Sequence, residues 1–374
     1  MNSALRIATF FNIPIRIHWS FLLIFVYVLY TGSRQGWDVA NMAWSLIFVL
    51  ALFACVVLHE FGHALTARRF GVETRDIILS PIGGVARLNK LPEKPLQEFL
   101  VAVAGPLVNV AIALLLAPYL LTLSGESRQL LFNVLLDPDG NYFPVGLSQL
   151  DYFLAGLILL NAMLALFNMI PAFPMDGGRV LRALLSIRLE RHEATRIAAY
   201  IGQGLAVLFI GYGLFFENNI FYLLIGGFVF MAAAGEYRMV RSQQVLQRYT
   251  VRDVARTHFT RLYLGDTIKK AISQLSNDGQ RSYIVFDVWQ EAKGILGQKQ
   301  LKQAHEARDY DAPVEKYMTP LSKGLRMDDT LRQASEQLQA APVHTLPVYT
   351  AQGQVAGMLD AVSLDRFIRF VHKK

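Results

Sequence analysis

Long apolar runs are the feature that most restricts how this chain can fold. Six such runs occupy residues 17–33, 42–67, 97–123, 151–173, 195–216 and 219–240. Each is near the length of roughly 20 residues that a helix needs to cross a bilayer. From about residue 242 onward the sequence has the mixed character of a soluble domain. We therefore predict a polytopic α-helical membrane protein of about six transmembrane helices, followed by a C-terminal α+β soluble domain.

The distribution of basic residues predicts how the runs are oriented. The formal net charge is +7, and the basic residues lie between apolar runs rather than among the aromatic residues of a nucleic-acid-binding face. The connections after the second, fourth and sixth runs carry Arg68, Arg69, Arg75, Arg87, Lys90, Lys94, Arg179, Arg182, Arg188, Arg191, Arg196, Arg238 and Arg241. The opposite connections carry only Arg34 and Arg128. Because cytoplasmic loops are rich in Lys and Arg, we expect a multi-pass cell-membrane protein with both termini in the cytoplasm.

The soluble part contains an internal repeat at an offset of 63 residues, without gaps. Asp266-Thr267-Ile268 corresponds to Asp329-Thr330-Leu331, and Gly294 corresponds to Gly357. We expect each copy to form a helix, a strand, a turn, a second strand and a closing helix, because a repeat is one structural unit. The predicted domains are a membrane-embedded part at 1–242 and a cytoplasmic pair at 250–374, with repeats at about 250–308 and 313–371.

The sequence HEFGH at residues 59–63 carries the clearest chemistry. Residues four apart lie on one face of a helix, so His59 and His63 can direct their imidazoles at one metal ion. Glu60 can then reach the open coordination position and act as a general base. The competing interpretation is a polar helix end satisfied by water. The run before the motif is apolar, however, and ionisable groups at membrane depth are costly unless they have a role.

A third protein ligand is needed, and Asp176 is the best candidate. It follows Pro171 and Pro174, which break the fourth apolar run, and it precedes two glycines. Irregular backbone at membrane depth is tolerated where it lines a cavity or is buried in protein. The alternative is a simple turn in which Asp176 caps a following helix over Arg179–Leu189.

Four separated motifs resemble the site-2 protease family of intramembrane zinc metalloproteases, of the peptidase M50 type. They are HEFGH, PIGG at 81–84, GPLVN at 105–109, which would open the third span, and NMIPAFPMDGG at 168–178. The resemblance implies that His59, His63 and Asp176 bind one Zn²⁺ and that Glu60 is the catalytic base. Met175 stands where the family often has leucine.

The soluble repeat resembles a tandem pair of CBS modules, which follow the membrane core in one branch of that family. Such pairs commonly bind adenine nucleotides through a Ser or Thr and an Asp placed three and six residues after a glycine. Here those positions hold Gly297 and Gln300 in the first copy, and Asp360 and Ser363 in the second. Dimerisation through the pair is therefore a firmer expectation than an adenine nucleotide as its ligand.

The expected reaction is cleavage of a peptide bond within or near the transmembrane segment of a single-span membrane protein, with the CBS-like pair as a regulatory module. A hairpin over Thr74–Asn89 could pair with the unwound substrate, with Gly83 and Gly84 as candidate substrate-positioning residues. Asn168 could hold the substrate or the developing oxyanion, or it could cap a broken helix.

Two other functional classes remain open from the sequence. One is a metal or ion transporter gated by the CBS-like pair, although transporters commonly show inverted repeats and no second HEFGH occurs. The other is a non-catalytic sensor in which the soluble pair is the working part. The family resemblance favours the protease, acting in the bilayer of a prokaryotic cell without a nucleic-acid partner.

Overall fold

A computed structural model of the chain describes residues 4–81, 83–88, 94–136, 148–217, 219–278, 280–321 and 323–371. The chain divides into two compact units, Met1–Tyr237 and Arg238–Lys374. The division lies inside one helix, a few residues before the predicted membrane-domain limit at residue 242. The predicted limits themselves remain a prediction.

The first unit is built mainly of helices. They are α1 (Leu22–Arg34), α2 (Val39–Arg69), α3 (Pro95–Leu116), α4 (Tyr119–Thr122), α5 (Gly125–Leu136), α6 (Gln149–Asn168), α7 (Asp176–Leu185), α8 (Arg191–Tyr212) and α9 (Ile220–Arg248). Among the described residues, five helical segments are long and apolar enough to cross a bilayer: α2, α3 with α4, α6, α8 with the π-helical turn Gly213–Glu217, and α9. These segments confirm the predicted polytopic helical membrane fold.

The first predicted span is shorter than expected. A 3-10 turn and α1 together cover Trp19–Arg34, which at 1.5 Å per residue is about 24 Å. The hydrocarbon core of a bilayer is about 30 Å thick. The preceding residues form two antiparallel strands, β1 (Ala4–Phe10) and β2 (Ile13–His18), which the sequence analysis did not predict.

A four-stranded sheet combines two strands that precede α2 in the chain with two that follow it. Its strand order is β1-β2-β3-β4, with β3 over Thr74–Ser80 and β4 over Gly83–Leu88. The antiparallel β3–β4 pair confirms the predicted hairpin over its described residues, and Asn89 lies outside them. β2 and β3 pair in parallel. β4 is last in the strand order and is therefore an edge strand of the sheet that the described residues form. Gly84 lies directly against Val56 and Glu60 of α2, where an added Cβ would come within 3.0 Å of each side chain.

The broken fourth span differs in detail from its prediction. α6 ends at Asn168, three residues before Pro171, because a proline disfavours helical backbone in the residue before it and lacks the N–H that a helix needs. α7 then begins at Asp176, so the expected helix over Arg179–Leu189 starts and ends earlier than predicted.

The GPLVN motif was also wrongly placed in the third span. Gly105 and Pro106 lie in the middle of α3 rather than opening it, because the helix already begins at Pro95. Proline suits the first position of a helix, where its missing N–H has no intrahelical partner to lose.

The second unit contains the predicted repeat. After β5 (Arg261–Tyr263), the first copy has α10 (Ile268–Asp278), β6 (Ser282–Phe286), β7 (Ala292–Gly297) and α11 (Gln298–Glu306). After β8 (Thr319–Pro320) and β9 (Leu325–Arg326), the second copy has α12 (Leu331–Ala340), β10 (Thr345–Tyr349), β11 (Val355–Asp360) and α13 (Ala361–Val371). The four elements of each copy begin 63 residues apart, which confirms the module order and the offset.

The two repeats of this unit pack together through their sheets. The strand orders are β5-β6-β7-β8 and β11-β10-β9. Ile284 and Phe286 of the first copy share a buried cluster with Met358 of the second. The result is the predicted α+β pair of repeats.

Candidate metal centre

Two imidazoles from α2 form the first half of the candidate site. His59 and His63 are one helical turn apart on α2, and both are buried. Their Nε2 atoms lie 3.1 Å from each other. The turn of α2 that carries them therefore directs both nitrogen atoms to one point, as the spacing predicts.

Asp176 completes the group from a different part of the chain. Its Oδ2 atom lies 3.2 Å from Nε2 of His59 and 3.1 Å from Nε2 of His63. The carboxylate is at the first residue of α7, just after the loop that follows α6. The next two residues, Gly177 and Gly178, pack closely on that loop, where a Cβ of either would lie within 2.6 Å of loop backbone atoms. The absence of side chains at these two residues lets α7 begin at this place.

Space for an ion is left by a glycine on α3. A Cβ at Gly105 would lie 2.2 Å from Nε2 of His63 and 2.8 Å from Nε2 of His59. Any larger residue at this position would place an atom among the converging nitrogen atoms. The space between Gly105 and the two Nε2 atoms, here called the cradle, exists because residue 105 has no side chain.

The hydrogen-bonding chemistry of the group suits a bound metal ion. Nδ1 of His63 lies 2.7 Å from the carbonyl oxygen of Val101, and a carbonyl can only accept. Nδ1 therefore carries the proton in the neutral ring, and the Nε2 lone pair faces the Asp176 carboxylate. Two facing acceptors repel each other, and either a metal ion or a second proton on the ring removes that repulsion.

The geometry fits zinc. A tetrahedral zinc ion with ligand bonds of 2.0–2.1 Å holds its ligand atoms about 3.3 Å apart. The three separations here are 3.1, 3.2 and 3.1 Å. Among the described residues, these three form the one group of His, Cys, Asp or Glu side chains placed to hold a metal ion. Three protein ligands leave a fourth position open, as in catalytic rather than structural zinc sites.

Glu60 lies beside the group and touches the edge strand. Its Oε2 atom accepts a hydrogen bond of 2.9 Å from the backbone N–H of Ala86 on β4. Because alternate residues of a strand direct their N–H groups to the same side, Gly84 and Ala86 both present donors on the outer edge of β4. The structure thus brings Glu60, the histidine pair and the outer edge of β4 to one place.

The weaker sequence candidates have mixed positions. Gly84 adjoins Glu60, as described above, whereas an added Cβ at Gly83 would meet no atom within 4 Å and its φ is +136°. Asn168 is the half-buried last residue of α6, and its side chain makes no hydrogen bond to the part of the chain that the structure describes. Its proposed contact with substrate therefore remains a prediction.

From the sequence, no role was assigned to the residues behind the ligands, although Asn109 is the last residue of the GPLVN motif. Nδ1 of His59 lies 2.5 Å from Oδ1 of Asn109, whose Nδ2 donates to Oδ1 of Asn161 at 2.8 Å. Both asparagines are fully buried. A polar residue such as Asn161 inside an apolar run was the available signal, because a buried amide needs partners.

A buried charge cluster also holds α7. Arg182 of α7 has no exposed surface; its Nε donates to Glu98 of α3 at 2.7 Å and its Nη1 to Glu236 of α9 at 2.9 Å. Arg191 at the start of α8 lies 3.3 Å from the other oxygen of Glu98. The helix that begins with Asp176 is therefore tied to α3 and α9 by charge.

Comparison with known proteins adds an independent finding. Residues 47–211 match the model of peptidase family M50. The chain is 36% identical over 254 residues to the zinc metalloprotease MJ0392 of Methanocaldococcus jannaschii, covering 68% of this chain and 66% of that protein. It is 28% identical to the predicted zinc metalloprotease sll0528 of a Synechocystis strain, over 97% of this chain and 95% of that one.

A solved structure is similar as well. A site-2 protease from Methanocaldococcus jannaschii is 35% identical, with a TM-score of 0.43, over 63% of this chain and 95% of its own. The matched family region contains the histidine pair, Glu60, Gly105 and Asp176, so the geometry and the comparisons concern the same residues.

Proposed function

Because the chain belongs to peptidase family M50 and is a zinc metalloprotease, we propose that it cleaves a peptide bond within or near the transmembrane segment of a membrane protein. The observation that carries the proposal is the convergence of three ligand atoms beside Glu60 on a membrane-spanning helix. A single-span membrane protein is the proposed substrate class, and regulated intramembrane proteolysis is the proposed role.

His59, His63 and Asp176 are the proposed ligands of one zinc ion per chain. When bound, zinc lowers the pKa of a water molecule to about 7 and polarises the scissile carbonyl. The ligands themselves contribute one negative charge from Asp176 and two neutral imidazoles. That set satisfies the ion without filling the fourth position.

Glu60 is the proposed general base. It follows the first ligand on α2, and its carboxylate is proposed to serve the open side of the group. It would accept a proton from the attacking water and then deliver that proton to the leaving amine. The Ala86 N–H that now binds Oε2 restrains the carboxylate in this region.

β4 is the proposed docking edge for the unwound substrate. A helical substrate has its peptide groups already bonded, so the segment that is cut must become extended. The outward N–H groups of Gly84 and Ala86 can accept such a segment by strand addition. Since Glu60 occupies the Ala86 donor, an incoming carbonyl would compete for it beside the catalytic group.

The C-terminal CBS-like pair is proposed to regulate cleavage, and a homodimer through this pair is proposed with it. Its support is the continuity of α9, which carries Glu236 of the first unit and runs on into the second. We further propose a prokaryotic cell membrane with both termini cytoplasmic, which places the zinc site near the cytoplasmic face.

Substitutions at Glu60 and Asp176 test the proposal. Purified Glu60→Gln should keep about one zinc ion per chain but lose cleavage of a co-expressed single-span substrate by roughly 10²-fold or more, because only the base is removed. Asp176→Ala should instead lose zinc. Cleavage is followed by immunoblot and zinc by elemental analysis.

The matched control is Glu73→Gln, which makes the same charge change at an exposed residue and should leave both readouts unchanged. Retained cleavage in Glu60→Gln would exclude this residue as the base. Zinc that exchanges rapidly in wild-type protein, without any cleavage, would instead favour a transporter.

A further inference from the structure

A chain of three buried side chains ends at the first proposed ligand. Nδ2 of Asn161 donates to the carbonyl oxygen of Leu157 at 2.8 Å. Nδ2 of Asn109 donates to Oδ1 of Asn161 at 2.8 Å, and Oδ1 of Asn109 lies 2.5 Å from Nδ1 of His59. Both asparagines are fully buried, so neither can exchange these partners for water.

The carbonyl at the far end fixes the direction of every bond. A backbone carbonyl can only accept, so the amide of Asn161 must present its NH₂ group to Leu157 and its oxygen to Asn109. That oxygen in turn can only accept, so Asn109 must present its own NH₂ group to it. The oxygen of Asn109 then faces His59, whose Nδ1 must carry the proton.

We propose that Asn161 and Asn109 are positioning residues that lock His59 in the tautomer with a proton on Nδ1. The lone pair is then held on Nε2, the atom that points at His63 and Asp176. If the amide of Asn109 rotated, its oxygen would face that of Asn161, and His59 would have to accept at Nδ1. The proton would move to Nε2, where it would block the ligand position.

The neutral character of the relay suits its surroundings. Partners behind metal-bound histidines are often carboxylates, which would add a further negative charge here. Asp176 and Glu60 already place two carboxylates in this buried region, and an additional buried charge is costly. Two amides orient the ring without that charge. The second imidazole is held similarly, by the carbonyl of Val101.

The inference rests on the proposed zinc site, and it explains why the ligand His59 has its proton on Nδ1. Its first test is nitrogen NMR of histidine-labelled, metal-free protein in detergent. Nδ1 of wild-type His59 should carry a proton, whether or not the nearby Asp176 carboxylate also holds one on Nε2. Asn161→Leu should give a mixture of tautomers at His59, whereas His63 should stay unchanged, because Val101 is untouched. A wild-type His59 in the Nε2–H form would overturn the proposal whatever the variants do.

The second test measures zinc affinity by competition with a chelator. Asn109→Leu and Asn161→Leu should each weaken zinc binding by about 10–100-fold. Asn161→Asp should bind nearly as wild type, because a protonated carboxyl donates to Leu157 and still offers an oxygen to Asn109. Equal losses in Asn161→Asp and Asn161→Leu would refute a role for bond direction.

Asn41→Leu is the matched control. Asn41 accepts a hydrogen bond from Gln149, so this change also removes an amide contact between α2 and α6. Residue 41 is 18 positions before His59, about 27 Å along the helix, and zinc affinity should not change. If wild-type protein bound no zinc, the proposed function itself would fail, an outcome distinct from failure of the relay.

Discussion

Gly105 contributes to the site because it has no Cβ atom. Its position on α3 faces both imidazoles, and a Cβ there would lie 2.2 Å from Nε2 of His63. The helix backbone does not require glycine at this point, since alanine is the better helix former. The requirement therefore comes from the space that an ion and its ligands need.

Gly105→Ala should abolish zinc binding and cleavage while leaving the helical fold in place. The added methyl group either occupies the ion's position or displaces the histidines. Zinc content and circular dichroism of the purified variant check this. Gly204→Ala on α8 is the control, because a Cβ there meets no atom within 4 Å. A zinc-replete Gly105→Ala would contradict the assignment of the cradle.

Sequence alone predicted which side chains would meet, but not what holds them. The HEFGH spacing and the proline-flanked aspartate were sufficient for His59, His63 and Asp176 to be grouped, because helix periodicity and loop chemistry are local. The bond between His59 and Asn109 depends on how α2 and α3 are rotated against each other. That rotation is set by the packing of many residues, so the GPLVN motif could mark Asn109 but could not predict this bond.

At the scale of elements, α7 is the part whose position matters most. It has ten residues, begins with Asp176 and is tied by Arg182 to Glu98 and Glu236. The guanidinium also lies over the ring of Phe173, 4.9 Å from its centroid. One fully buried side chain thus fixes a short helix against α3, α9 and the loop before it.

Arg182→Leu should destabilise the protein by about 3–5 kcal/mol, because it leaves buried carboxylates without their main partner. Zinc occupancy should fall with it, since α7 carries a ligand. Thermal unfolding in detergent and zinc analysis provide the measurements, with exposed Arg188→Leu as the control. Arg182→Lys should be intermediate, because an ammonium cannot bridge both carboxylates with guanidinium geometry. Wild-type stability in Arg182→Leu would contradict a clamping role.

Element boundaries show where sequence patterns stop being informative. Apolar length predicted the five long spans, but it also drew residues 17–21 into a first helix, although they end a strand and form a 3-10 turn. The alternating Ile13 and Ile15 were a strand signal of only a few residues beside a much longer apolar run. The pairing of β2 with β3 joins segments that lie more than 50 residues apart, which local patterns cannot encode.

At the scale of the whole molecule, the soluble repeat was predictable because the sequence contains two matching copies of it. Both copies depart from the common nucleotide-binding pattern, each with different residues at the two expected positions. Asp360 accepts hydrogen bonds from the N–H of Ser363 at 2.7 Å and from its hydroxyl at 3.1 Å, so both residues are engaged at the start of α13. Gly297 in the first copy offers no side chain at all.

We therefore expect AMP and ATP at millimolar concentration to leave the melting temperature and the cleavage rate of the full-length protein unchanged. A carboxylate at residue 360 repels phosphate groups instead of donating to them. Differential scanning fluorimetry checks the melting temperature, and zinc chelation, which should lower it, shows that the assay responds. A saturable rise with nucleotide would mean that other residues of the pair bind it.

The path of α9 has a practical consequence for truncation studies. The natural cut between the units falls after Tyr237, and it would leave Glu236 as the second-last residue of a shortened helix. The last four carbonyls of a helix lack intrahelical partners, so that end would fray and release Arg182. If the protein truncated after Tyr237 were inactive, the loss of cleavage could be wrongly attributed to the removal of an activating domain. Ending the chain after Arg248 keeps roughly three further turns, and only then does a change in cleavage report on the soluble pair.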